Sequence, residues 1–368
     1  FHHVLIRDVG YRRLLKSDRA QLHERFADWV DAGGRTGAVD PEQLTARHTE
    51  AAHGYRCDLG LNDAHTAALA LRSARGYLAA ARRALDRDAL ASAGAQAARG
   101  AAMADADPEL RAELLQVACE AFLSDGDVTD AAPLVDELEA VAGDALDPVA
   151  ACYRCQFLVY TDPSRLREVD QRLDGVIEEF VGRGDASGLA KAYRVRAAAR
   201  ARLGRIGDAE LDLFDALIAA RRGGDHRQIT AVLGAAPNAA LWGPSPVPKA
   251  GGRCLDVVRM QRMTTGAPSL EATSLRCLAV LEVLRGRPEK AREMLADART
   301  ILGDLGLRHG LMETELHAGI VELMGGNPVA AEPHFRAALD GLDVLGVGAD
   351  AGQAAALLAR AVLAQGRL

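Results

Sequence analysis

In the second half of the chain, small and large apolar residues recur on one face of a 3.6-residue period, and that recurrence itself repeats. "GRPEKAREMLADA" runs from Gly286 with Ala291, Leu295 and Ala298; "GNPVAAEPHFRAA" runs from Gly326 with Ala331, Phe335 and Ala338; "GRL" begins again at Gly366. The three glycines are 40 residues apart. Earlier copies start at Gly204, with Ala209, Leu213 and Ala216, and at Gly126, with Ala131, Val135 and Leu138. Degenerate copies lie near Asp86, with Ala91 and Ala98, near Asp162 and near Ser245. Residues at i, i+4 and i+7 share one helical face, so each unit reads as a helical hairpin. Its alanines let helix axes approach, and Leu213, Leu295 or Phe335 fills the neighbouring groove. Two helices of roughly 16 residues, each roughly 24 Å long, fit one period. A hairpin with one apolar stripe buries it only by stacking, and fixed periods of this size mark solenoids. The fold class predicted is all-α: a right-handed superhelical solenoid of tetratricopeptide-like hairpins with a period of about 40 residues, spanning residues 40–368.

One unit departs from the pattern. In "GAAPNAALWGPSPVPKAGGRC", near residues 235–250, Pro237, Pro244, Pro246 and Pro248 surround Trp242, which predicts a break in the helices and a bend in the solenoid. Pro248 suits the first turn of the next helix, with Cys254 and Val257 on its buried face, and Trp242 is expected to cap the preceding helix or pack between repeats. At the N-terminal end, Leu5, Ile6 and Val9 share one helical face, and Leu22, Phe26, Trp29 and Val30 lie on a second helix. The "AGGRTGAVD" loop follows, and then "DPEQ" supplies Asp40 as N-cap, Pro41 at the first helical position and Gln43 at the capping-box position. Leu44, His48 and Tyr55 are expected to face inward on the third helix.

Composition agrees with close-packed helices: 49% of residues are hydrophobic but only 4% aromatic. The net charge of −7 provides no global basic field, so direct nucleic-acid binding is not expected. The six cysteines (Cys57, Cys119, Cys152, Cys155, Cys254, Cys277) show no framework spacing, as in a reducing cytoplasm. Cys152 and Cys155 form a lone C-x-x-C within a helical pattern and read as buried core thiols. No run of 18 apolar residues occurs, so no membrane span is expected.

Enzyme signatures are missing. None of the four lysines follows a glycine, so there is no P-loop, and no H-E-x-x-H, G-x-S-x-G or helix-opening G-x-G-x-x-G is present. His48 and His53 are five apart, whereas zinc ligands on one helix face stand at i and i+4. No catalytic, cofactor-binding or metal-binding residue is assigned. Inner helices of such hairpins present a few positions per repeat to the groove; here these are Glu113, Gln116, Glu120, Lys191, Arg194, Arg276, Glu313 and Arg360. Their mixed signs suit a protein or peptide partner better than a nucleotide.

The opening "FHHVLIRDVGYRRLLKSDRAQLHERFADWV", with "HTEAAHGYRCDLG" and "WGPSPV" further on, resembles the segment that follows the nucleotide-binding and winged-helix modules in actinobacterial AAA/STAND-type signal-transduction ATPases. Many of these are linked to an adenylate/guanylate cyclase domain or a LuxR-type DNA-binding domain. The resemblance covers essentially the whole chain. It implies that residues 1–32 close an upstream winged-helix region, that the repeats form a sensor arm, and that the chain is the C-terminal part of a longer protein. ATP and Mg would then belong to the parent protein, since no Walker motif or cyclase aspartate has a matching position here. The expected function is a non-catalytic cytoplasmic module that binds a protein, peptide or small inducer on its concave face. By doing so it controls the ATPase switch in cis, in signalling or transcription regulation. A self-association module that oligomerises the parent ATPase is the rival reading, and an enzyme using His48, His53 or the C-x-x-C is a third.

Overall fold

The structure, a computed structural model, describes residues 10–34, 37, 40–143, 147–264 and 267–367. The expected face of Leu5, Ile6 and Val9 lies outside these residues. Every regular element among the described residues is helical, and consecutive helices pack in pairs. Packing divides the chain into two compact units: Phe1–Asp86 with Leu90–Ala121, and Arg87–Ala89 with Phe122–Leu368.

The first unit contains α1 (Lys16–Asp31), α2 (Pro41–Asp58), α3 (Ala64–Asp86), α4 (Leu90–Ala101) and most of α5 (Pro108–Ser124). Asp40 caps α2, its carboxylate accepting from the backbone N–H groups of Glu42 and Gln43 at 3.1 and 3.3 Å, with Pro41 at the first helical position. The buried side of α1 consists of Ala20, Ala27 and Val30. Leu22, Phe26, Trp29 and Val30 all lie on this helix as expected; of the four only Val30 is buried, and the other three remain substantially exposed. Leu44, His48 and Tyr55 are half-buried, while Thr45, Ala46, Thr49 and Ala52 form the buried stripe of α2.

The second unit is the regular one. Helix α6 (Val128–Val141) leads into α7 (Asp147–Thr161), α8 (Leu166–Arg183), α9 (Ala186–Arg202), α10 (Ile206–Gly223), α11 (His226–Trp242) and α12 (Val247–Thr264). It continues with α13 (Pro268–Leu284), α14 (Pro288–Leu305), α15 (Arg308–Met324), α16 (Pro328–Leu345) and α17 (Gly348–Ala364). Odd-numbered helices from α7 onward form an inner layer, each touching the next inner helix; even-numbered helices form the outer layer. The patterned residues are core: Ala209, Ala291, Leu295, Ala298, Ala331, Phe335 and Ala338 are almost wholly buried, and Leu213 nearly so. The period is kept by its turns. At Gly306, for example, the chain enters the left-handed region (φ 68°), and its N–H closes the last turn of α14 on the Gly303 carbonyl before α15 begins.

In the proline-rich unit, Pro237 lies inside α11, so the expected break there is not made; the chain leaves the helix only at Gly243 and restarts at Val247, with Pro248 in the first turn. The pyrrolidine of Pro237 is buried, and its packing offsets the backbone hydrogen bond it cannot donate. Cys254 and Val257 face the core as expected. Trp242 ends α11 with 47% of its surface exposed and is not packed between repeats.

Candidate functional site

The inner layer of the second unit does not stay apolar. On α15, the polar residues His309, Glu313 and His317 stand at i, i+4 and i+8, one stripe facing the inside of the solenoid. Opposite them, α17 supplies Asp350, α9 supplies Arg202, α7 supplies Tyr160 and α13 supplies Arg276. Helices α7 and α17 touch, so the inner layer closes on itself. Arg202 donates to one oxygen of Asp350 at 2.7 Å, and Nε2 of His309 lies 3.0 Å from the other. Tyr160 meets both: its ring lies edge-on to His309 with centroids 5.7 Å apart, and the Arg202 guanidinium is 5.4 Å from its centroid.

One turn further along α15, Arg276 forms an ion pair with Glu313 at 2.9 Å and donates to the Gly310 carbonyl at 2.8 Å. His317 donates through Nδ1 to the Glu313 carbonyl at 2.7 Å. A carbonyl only accepts, so Nδ1 carries the proton and the neutral ring presents Nε2 as an acceptor. At the start of α15, Arg308 binds Asp127 and reaches Asp125 at 3.5 Å. Asp88 accepts from the Ser269 hydroxyl at 2.6 Å and from Arg227 at 3.3 Å.

Burial and charge set the protonation states. Burial opposes the charge on His309, but Glu313 and Asp350 outweigh it and its pKa is raised. Burial likewise opposes ionisation of Glu313 and Asp350, yet Arg276 and His309 around the first, and Arg202 and His309 around the second, hold both below the usual carboxylate range. For His317, burial and the Arg276 guanidinium act together and lower the pKa to about 4. Burial raises Asp125, against the pull of Arg308. Several buried polar atoms here have no protein partner: Nε of Arg202 and Arg276, Nε2 of His317 and Oδ1 of Asp125. Glu313 and Arg202 keep about a quarter of their side-chain surface exposed, so the inner wall is open to small groups.

Of the eight residues expected in the groove, Arg276 and Glu313 belong to this network. Arg194 lies within electrostatic range of Tyr160 and donates to Gln228 at 3.3 Å. Lys191 is buried, donating to Gln156 at 2.8 Å with its ammonium 3.8 Å from the Tyr153 ring centroid. Arg360 is exposed on α17, ten residues and roughly 15 Å from Asp350 along the helix. Glu113, Gln116 and Glu120 lie in the first unit; Glu113 pairs with Arg82, Gln116 is half-buried and Glu120 is buried. Sequence reading missed Tyr160, Arg202, His309, His317 and Asp350. The spacing of four between His309, Glu313 and His317, which puts two histidines and an acid on one helical face, was the available signal.

The other candidates for chemistry are dispersed. Cys152 and Cys155 are fully buried, and burial pushes their thiols up to about 12 and about 11, which keeps them protonated and unreactive. His48 meets His23, with 2.8 Å between their Nδ1 atoms, while His53 lies 3.4 Å from the Cys57 sulfur. Among the described residues, no group of three or more His, Cys, Asp or Glu side chains is placed to hold a metal ion, and no helix is long and apolar enough to cross a membrane.

No protein-family model matches the chain, and no curated protein matches it. Among solved structures, 98% of the chain is similar to 55% of a Signal Transduction ATPase with Numerous Domains (STAND) protein with a tetratricopeptide repeat sensor from Pyrococcus horikoshii, at 12% identity and a TM-score of 0.56. It is also similar, over 95% of its own length and 97% of the other chain, to a Rap protein complexed with competence and sporulation factor, at 10% identity and a TM-score of 0.54. The chain thus spans about half the length of the STAND protein. Identities this low establish the fold alone, and the fold is that of a tetratricopeptide-type solenoid.

Proposed function

We propose that the second unit is a non-catalytic regulatory module that binds a peptide or a protein segment on its inner face. The observation that carries this reading is the convergence of Tyr160, Arg202, Arg276, His309, Glu313 and Asp350 from five inner helices onto one partly open wall. Buried donors and an acceptor there lack protein partners. A bound polar chain would meet the exposed quarter of the Glu313 and Arg202 side chains, behind which these shielded atoms lie. Donors and acceptors of both signs match a peptide backbone with a side chain of either charge. Glu313 and Asp350 would repel a phosphate.

The relatives support the same class of function: one was solved with competence and sporulation factor bound, and the other carries its repeats as a sensor. In a longer protein of the STAND type, the module would report binding to an ATPase switch, where ATP and Mg would act. A peptide shifts such a switch only by binding one closure state of the inner layer more tightly than the other.

Panning random twelve-residue peptides on the 368-residue chain, followed by fluorescence anisotropy of the enriched sequences, tests the proposal. Binding should fall at least tenfold in Arg202→Ala and Glu313→Gln variants that keep their helical circular dichroism. Peptides that bind wild type and both variants equally would place recognition elsewhere.

A further inference from the structure

Helix α2 ends with an exposed thiol facing an imidazole. Of the six cysteines, Cys119, Cys152, Cys155, Cys254 and Cys277 are buried, and Cys57 alone is exposed. It stands in the last turn of α2, four residues after the half-buried His53, so the two side chains share one helical face. This is the i, i+4 spacing that His48 and His53 lack. The Cys57 sulfur lies 3.4 Å from Nε2 of His53. Neither side chain serves the core, because the buried stripe of α2 consists of Thr45, Ala46, Thr49 and Ala52.

The separation suits a shared cation. A zinc ion about 2.05 Å from Nε2 and about 2.3 Å from the sulfur would see atoms 3.4 Å apart at an angle of about 103°, close to the tetrahedral value of about 109°. The surface around the pair is open: a Cβ added at Gly54 or Gly60 would meet nothing within 4 Å. The nearby carboxylates are engaged elsewhere, Glu50 by Tyr77 and Arg99, and Asp58 by Lys16 at 3.0 Å. Water therefore fills the two remaining tetrahedral positions. The negative end of the α2 dipole lies in the same turn and favours a cation there. A soft thiolate beside an imidazole selects zinc-class metals over magnesium and calcium, which take oxygen ligands.

We propose that His53 and Cys57 form a surface binding site for a zinc-class divalent cation. On binding, the metal–sulfur and metal–nitrogen bonds form, the thiol S–H bond breaks, and its proton passes to solvent. Two protein ligands in place of four put Kd in the micromolar to submillimolar range. The site uses no residue of the peptide-binding wall and does not rest on that reading.

Cobalt(II) titration of the reduced 368-residue chain tests it, because thiolate-to-cobalt charge-transfer absorption reports sulfur coordination and is blind to histidines that bind metal elsewhere. Wild type should develop the band, release a proton as cobalt binds, and lose the band when excess zinc is added. Cys57→Ser should abolish the band, and His53→Gln should weaken cobalt binding at least tenfold, both with unchanged helical circular dichroism. Neither substitution touches the buried stripe of α2, so both variants should fold. No band for wild type at millimolar cobalt, a band that survives Cys57→Ser, or a His53→Gln variant that binds as tightly as wild type would each overturn the assignment.

Discussion

His317 combines two unusual properties: its Nδ1 proton is committed to a backbone carbonyl, and its Nε2 is buried next to a guanidinium with no protein partner. A histidine held near pKa 4 in the folded chain and near 6.5 in the unfolded chain takes up its proton first on unfolding. Its contribution to stability is whole above pH 6.5 and is lost as pH falls toward 4, a difference of about 3 kcal/mol. His309 has the opposite sign. Its raised pKa means that the folded state holds the proton more tightly, so its contribution is whole below pH 6.5 and disappears as pH rises past the raised value. Urea denaturation across pH 4 to 9 separates them: His317→Gln should flatten the acid side of the stability profile relative to wild type, and His309→Gln the neutral-to-alkaline side. Parallel curves for wild type and both variants would show that neither ring senses its surroundings as described. At this scale the sequence was legible only in part. Alanines and leucines announce their burial by period, but the burial of His309 and His317 depends on α7, α9 and α17 arriving opposite α15. No local pattern encodes that arrival.

Element by element, the hairpins were far more readable. Outer helices α14 and α16 show the same order of buried and exposed positions from Ala291 and from Ala331, which is why a short pattern sufficed to find them. Helix starts follow Asp185 and Asp225, whose carboxylates accept from the third residue beyond, and helix ends follow glycines. Pro237 was misjudged because proline rules describe an isolated helix, whereas here the ring fills core space. Packing between elements is tight enough for a compensation test. A Cβ at Gly319 on α15 would lie 2.5 Å from the ring of Phe335 on α16, so Gly319→Ala alone should cost about 1 to 3 kcal/mol through overpacking. Phe335→Ala alone should cost about 3 to 5 kcal/mol through the cavity left in a fully buried site. Once the ring is gone, the added methyl has room and removes the helix penalty of glycine. Gly319→Ala in the Phe335→Ala background should then be neutral or stabilising by up to about 1 kcal/mol. Additive losses in thermal or urea denaturation would show that the two residues do not share a site.

For the second unit as a whole, stacking follows from the period, whereas closure follows from the sum of small rotations between hairpins, which the sequence does not display. An open solenoid holds each hairpin only by its neighbours, so its ends fray first. Here α7 and α17 meet, and Arg202 joins Asp350 across 148 residues of chain while Arg308 joins Asp127 across 181. The Arg308–Asp127 pair, whose guanidinium is half exposed, should contribute no more than about 1 kcal/mol, and the better shielded Arg202–Asp350 pair about 1.5 to 3 kcal/mol, delivered to two distant helices at once. Arg202→Met keeps most of the side-chain volume and removes the charge. If closure is energetic, this substitution should accelerate amide hydrogen exchange in α17, whose Asp350 it abandons, and in α7, whose Tyr160 it no longer covers, by about tenfold. Exchange in α13 and α14 should stay at the wild-type rate. The same variant should weaken any peptide held on the inner face, because Arg202 is both a contact and a clasp. Faster exchange confined to α9 itself would mean that the ends of the inner layer touch without supporting one another, and peptide binding would then be independent of closure.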